Sequence, residues 1–217
     1  MTAGEYIGRY RLRLGPIDLS DARAFIQREH SHLDAPIGGK CAVAVERRRE
    51  EAWERCCVAL LGRPVSRELQ AQGCAEVLRV AAASDPAPVC SCCWQTHGVT
   101  RTTIPHVASM CLAAISRAGL DLGYRRLVSS TLLGESGTMY IAAGWRAVAC
   151  DRRERDWERS DGYRSPAGQP GAKVRWETGP DALAENMEVL ALVKEMTGKI
   201  TLRPRQERLP LLALVAS

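Results

Sequence analysis

Between residues 105 and 150 the apolar positions change period, and each change marks a new element. Val107, Ala108, Cys111, Leu112, Ile115 and Ala118 recur at steps of three and four, which predicts a helix with one buried face. Pro105 suits its first turn, and Gly119 with Gly123 supplies breakers at its end. Residues 124–131 then read as a strand, 136–144 as a short helix closed by glycine, and 145–150 as another strand.

The chain before this stretch predicts the sheet that it completes. Residues 10–14 alternate polar and apolar side chains, as a half-buried strand does, and Pro16 is expected to end that strand. Asp18 or Ser20 can cap a helix whose apolar face is Leu19, Ala22, Phe25 and Ile26. Residues 41–46 form an apolar strand, 47–54 a charged connector, and 55–61 the strand that pairs back. After a bend at 62–67, residues 76–80 read as a central strand. A segment near 82–105, rich in Cys, Pro and Thr, reads as an insertion. Beyond it, 173–177 returns as a strand. Residues 1–178 are expected to form one domain and 179–217 a helical tail, with Leu183, Met187, Leu190 and Val193 along one side of a helix over 182–196.

Composition narrows the setting. In 217 residues, 46% are hydrophobic but only 5% aromatic, so the expected core is built of Ala, Leu and Val. No apolar run reaches the roughly 18 residues of a membrane span, and no signal-peptide pattern opens the chain. A cytoplasmic protein that spans no membrane is the expectation. The nine cysteines, including the adjacent pairs Cys56–Cys57 and Cys92–Cys93, then stay largely reduced. The formal charge of +5 suits nucleic acid or an acidic ligand, and equally an ordinary solvated surface.

Several groups carry candidate chemistry. His30 and His32 lie with Glu29 and Asp34 where the first helix runs into a Pro/Gly break. They read either as a base and positioning group or as histidines at a helix C-terminus. Arg63 and Arg67 flank the bend and either grip phosphate or carboxylate, or simply face water. Glu76 and Arg79 interrupt an aliphatic strand, so they are expected to be paired or to face a cleft. Cys90, Cys92, Cys93 and His97 are numerous enough for a metal, although their spacing fits no common zinc knuckle. Ser136 can cap the short helix, and Tyr140 is expected to be buried with its hydroxyl bonded. Trp157, Arg159 and Arg164 interleave aromatic and basic side chains, as surfaces that stack bases do.

The motifs GRPVSR, EVLRV, LGYRRL, the Glu135-Ser-Gly turn and AAGW together resemble a family related to the GNAT acyltransferases. That family is carried by phages and mobile elements and is akin to the Mom DNA-modification protein of a phage. The resemblance spans about residues 17–176. It implies a mixed α/β fold, a mostly antiparallel twisted sheet with helices on both faces and a V-shaped opening between central strands. It further implies group transfer to an amine, with acetyl-CoA or another acyl donor and DNA as a possible partner. His30, His32, Glu76, Thr131, Glu135 and Ser136 would then serve catalysis. Arg63, Arg67, Arg79, Trp157, Arg159 and Arg164 would hold substrate. The glycine turn that binds the coenzyme A pyrophosphate in GNAT enzymes is missing from residues 82–105. Acetyl-CoA-dependent transfer to a small molecule or protein, and a non-catalytic DNA-binding role, are the other readings. Oligomeric state is left open.

Overall fold

A computed structural model describes residues 11–30, 34–49, 51–86, 101–104, 106–151 and 171–197. Among these residues the strands are β1 (Leu12–Pro16), β2 (Cys41–Arg49), β3 (Ala52–Gly62), β4 (Ala75–Ala82), β5 (Ser84–Pro86), β6 (Arg101–Thr103), β7 (Leu127–Leu132), β8 (Arg146–Asp151) and β9 (Lys173–Thr178). The helices are α1 (Leu19–Glu29), α2 (Arg67–Ala71), α3 (Val107–Asp121), α4 (Thr138–Ala142) and α5 (Met187–Thr197).

Seven strands form one sheet in the order β1-β2-β3-β4-β7-β9-β8. Every neighbouring pair is antiparallel except β4 and β7, which run parallel. Two buried clusters lie on its two faces. Ala22, Phe25 and Ile26 of α1 pack against Ala42, Ala44, Val58 and Leu60 on one. Val107, Cys111, Leu112 and Ile115 of α3 share the larger cluster on the other with Leu61, Val77, Leu127 and Trp176. This is the mixed, mostly antiparallel architecture with helices on both faces that the GNAT resemblance implies.

The two long helices follow their sequence pattern, because each shows a single apolar stripe to a flat sheet. Gly119 does not end α3, however. The helix passes through it and stops before Gly123, whose φ of 92° favours glycine. A Cβ on Gly119 would stand 3.0–3.1 Å from the Leu127 methyls, so the glycine serves close packing on β7.

Elsewhere the chain departs from expectation. The stretch 47–54 is not a connector: β2 and β3 continue through it, pairing Arg47 with Glu54 and Arg48 with Trp53. Its charges are strand side chains, and the Arg47 guanidinium sits 2.9 Å from the Glu54 carboxylate. Pro16 does end β1, as its last residue, on an edge strand where a missing N–H costs no ladder bond. At the other end, Leu183 and Met187 are exposed, and Val189, Leu190 and Val193 of α5 enter the main core beside β8. The insertion leaves and re-enters through a two-stranded ladder, Ser84 opposite Thr103 and Pro86 opposite Arg101.

Candidate active site

The parallel junction of β4 and β7 contains two register pairs, Ala75–Leu127 and Glu76–Val128. Beyond Glu76 the strands separate, although β4 runs on to Ala82 and β7 to Leu132. A bulge in β4 helps to part them. Val77 pairs with Leu61 and Arg79 with Leu60, which leaves Leu78 without a partner in β3. Gly62 makes room for that extra residue, since a Cβ there would stand 2.4 Å from the Leu78 side chain.

Side chains take over where the backbone ladder stops. The Ser129 hydroxyl donates to the Val77 carbonyl at 2.9 Å, at the next rung of the register. It lies 2.7 Å from the Tyr140 hydroxyl. Ser129 has one proton to give, so the consistent arrangement is Tyr140 donating to Ser129 and Ser129 donating to Val77. α4 brings Tyr140 here after Gly137, whose φ of 61° turns the chain and whose missing Cβ lets the Trp176 ring approach. Tyr140 stacks on Trp176 at 5.1 Å and meets Trp145 edge-on at 5.5 Å. Burial pushes the Tyr140 hydroxyl up to about 12, against the opposing pull of the Ser129 hydrogen bond. It is therefore a neutral proton donor at physiological pH.

Glu76 sits at the apex of the opening. Burial raises its carboxyl above the usual range, and the Val65 N–H, which donates to it at 2.8 Å, only partly offsets this. Arg79 lies three residues on. Desolvation lowers its guanidinium, while the Glu76, Asp34 and Tyr140 side chains favour the charge. One of its nitrogens donates to the Leu78 carbonyl at 2.6 Å, and its buried Nε has no partner among the described residues.

The remaining sequence candidates scatter. His30 caps the C-terminus of α1, its N–H bonded to the Ile26 carbonyl. Arg63 and Arg67 are both exposed, around a bend that ends in the Ser66 cap of α2. That bend acts on the site through the Val65 backbone. Thr131 is buried, and its hydroxyl accepts from the Trp176 indole at 2.9 Å. Glu135 is exposed and accepts from the Leu132 N–H at 3.1 Å, closing its own turn. Ser136 is not the cap of α4. Gly137 holds that position, and Ser136 accepts from the Thr138 hydroxyl at 2.6 Å. His32, Trp157, Arg159, Arg164, Cys90, Cys92, Cys93 and His97 lie outside the described residues. Among the described residues no group of three or more His, Cys, Asp or Glu is placed to hold a metal.

Ser129 lies beside the opening, yet in sequence it is only one residue of the 124–131 strand. Three consecutive hydroxyls, Ser129, Ser130 and Thr131, inside the strand were the available signal. The partner of Ser129, Val77, lies 52 residues away, which no local pattern reveals. The groove of about 520 Å³ between β1 and α1 is a different feature. Its charges pair with one another, Arg13 with Glu46 and Arg55 with Asp21. Among the described residues no helix is long and apolar enough to cross a membrane.

No family model matches the chain, and no curated protein does either. Solved structures with a similar chain path include a Bacillus subtilis acetyltransferase in complex with CoA, at 12% identity and a TM-score of 0.46, covering 78% of this chain and 98% of that one. A Salmonella typhimurium structure with acetyl-CoA is similar at 10% identity and a TM-score of 0.49, covering 80% and 96%. The Escherichia coli ribosomal-protein-S18-alanine N-acetyltransferase is similar at 12% identity and 0.45, covering 81% and 98%. The GNAT-like architecture of this chain rests on its own sheet, with one parallel junction that opens after two rungs.

Proposed function

We propose that the protein is a GNAT-type transferase that moves an acyl group from a coenzyme A thioester to an amine. The observation that carries this reading is the opening of β4 from β7 directly after Glu76, with Glu76 on the last rung before it and the Ser129–Tyr140 pair on the next. Beyond the junction, two extended backbone edges face one another without ladder bonds between them, which suits a chain bearing amides. α3 begins after the insertion with His106 at its cap position and no side-chain cap. Its first-turn N–H groups therefore suit the phosphates of a nucleotide carrier. When bound, the thioester supplies the activated acyl group.

Glu76 takes a proton from the attacking amine as the new C–N bond forms, its raised carboxyl being better matched to a base near neutral pH. As the C–S bond breaks, the Tyr140 hydroxyl would turn its proton from Ser129 to the departing sulfur, balanced by the proton that Glu76 took up. Ser129 holds the Tyr140 hydroxyl toward β4. In its most specific form, drawn from the likeness to Mom-related proteins, the acceptor is an exocyclic amine of a DNA base. Reaching it requires the base to leave the stack.

Thermal unfolding with and without acetyl-CoA is the direct test. At a hundredfold excess over Kd a bound donor adds about 2.7 kcal/mol, a rise of several degrees. No rise with any acyl-CoA, and no transfer to any amine, would reject the reading. Mass spectrometry of nucleosides from cells expressing the protein tests the DNA form, through a heavier nucleoside that disappears in Glu76→Gln.

A further inference from the structure

The sheet face that carries Glu177 has unusual chemistry next to the opening. α1 covers this face over β2, β3 and β4. On β7 and β9 the same face carries Ser130, Lys173 and Arg175, with Ser130 exposed and the other two half-buried. Arg175 pairs in register with Ser130. On the far side of the opening Arg79 stands level with Ser130, because Val77 meets Ser129 and Leu78 is the bulged residue. Arg79 and Arg175 therefore flank the opening about two strand spacings apart, roughly 10 Å before the parting of the strands adds to it.

Both arginines have a buried Nε without a hydrogen-bond acceptor among the described residues. The Arg175 Nε lies 3.0 Å from Glu177 Oε1, close enough for an ion pair but not aligned to donate. The neighbouring carboxylates are engaged with other donors. Glu177 takes two bonds from Arg126 and one from the Leu183 N–H. Glu76 accepts from Val65, and Asp34 accepts from Gln27. Asp151 stands opposite Lys173 in the ladder and has an interaction of its own. Leaving two buried guanidinium donors without acceptors costs more than a surface protein gains from scattered charge. A ligand oxygen removes that cost.

We infer that Arg79 and Arg175, with Lys173 beside them, bind an anionic group of the acceptor, so that the amine substrate carries a carboxylate or phosphate. This rests on the acyltransferase reading and deepens it. The anion docks on this face beside the exposed Ser130, and the amine reaches across the opening toward Glu76. Arginine suits the task, since its fork of donors matches the paired oxygens of either group.

The test uses the full chain and acetyl-CoA with five acceptors: L-glutamate, phosphoethanolamine, a short single-stranded oligonucleotide, ethanolamine and spermidine. Preference for one or more of the first three is expected, and which one identifies the source of the anion. Arg175→Gln should raise KM for that acceptor about tenfold or more while KM for acetyl-CoA stays put. Ser130→Asp is the second variant, at an exposed position that folding tolerates. It places a carboxylate beside the guanidinium and should compete the acceptor away. Equal use of ethanolamine and spermidine, with neither variant changing KM, overturns the inference. If no acceptor is acylated at all, titration calorimetry with inorganic phosphate decides separately. Phosphate binding lost in both variants upholds the anion site without the transferase, and absent or unaltered binding rejects it.

Discussion

One row of the sheet contains two carboxylates in opposite circumstances. Glu76 and Glu177 flank Val128 in register, Glu76 on β4 and Glu177 on β9, and each has arginines nearby. Glu177 is fully buried and receives both arms of Arg126, at 2.6 and 2.8 Å, together with the Leu183 N–H at 3.0 Å. Gln72 braces Arg126 from the side. Glu76 has one backbone donor, an arginine three residues on that acts on it only through its charge, and a raised affinity for its proton. The same residue types thus form a closed lock at one point and an open pair at the other. What separates them is the number of satisfied hydrogen bonds. A saturated carboxylate holds strands together, whereas an under-saturated one at a strand opening keeps capacity for a substrate.

Substitutions that break the lock should be the most damaging to stability. Glu177→Ala leaves two guanidiniums without their counter-ion and is expected to cost about 3–5 kcal/mol, read by urea unfolding. A loss below 1 kcal/mol would show that the lock contributes no more than a surface pair. Glu76→Gln should do the reverse, lowering kcat about a hundredfold while leaving the urea midpoint unchanged or slightly higher. The glutamine oxygen still accepts from Val65, and the desolvated charge is gone.

The pH dependence sharpens the contrast. A folded-state carboxyl raised above its unfolded value holds its proton longer when folded. Stability is therefore present below the unfolded value and is lost as pH rises from there through the folded value. Glu76→Gln should flatten that decline, and the same charge change should remove the acidic limb of kcat/KM. An unaltered limb would assign it to another group. Ser129→Ala should have the smallest effect, about 1 kcal/mol in unfolding, because the Val77 carbonyl and Tyr140 hydroxyl lose a shared partner.

How much of this was legible varied with the range of the interaction. α1 and α3 were readable because Phe25, Ile26, Leu112 and Ile115 write a helical period into consecutive residues. Glu76 stood out as a charge in an aliphatic strand. The β2–β3 hairpin was readable but its turn was drawn too wide, because Arg47 and Glu54 look like loop residues until they are set opposite one another. In the tail, Leu183 and Met187 share a period with Leu190, yet the helix starts only at Met187, so the buried stripe moves to Val189, Leu190 and Val193. Thr131 and Ser129 are alike in sequence. Their roles separate only when Trp176 claims one and Val77 the other. The aromatic content is low, but Tyr140, Trp145 and Trp176 gather in one part of the main core, beside Ser129.

The ladder joining β5 to β6 has a consequence for how the protein can change. Ser84, Asp85 and Pro86 meet Thr103, Thr102 and Arg101, so the ends of the insertion are already tied before its own sequence matters. Closing a longer segment over a fixed stem costs only about 0.6 kcal/mol per doubling of length. Changes of sequence or length between Pro86 and Arg101 are therefore expected to leave the register of the sheet and its opening unaltered.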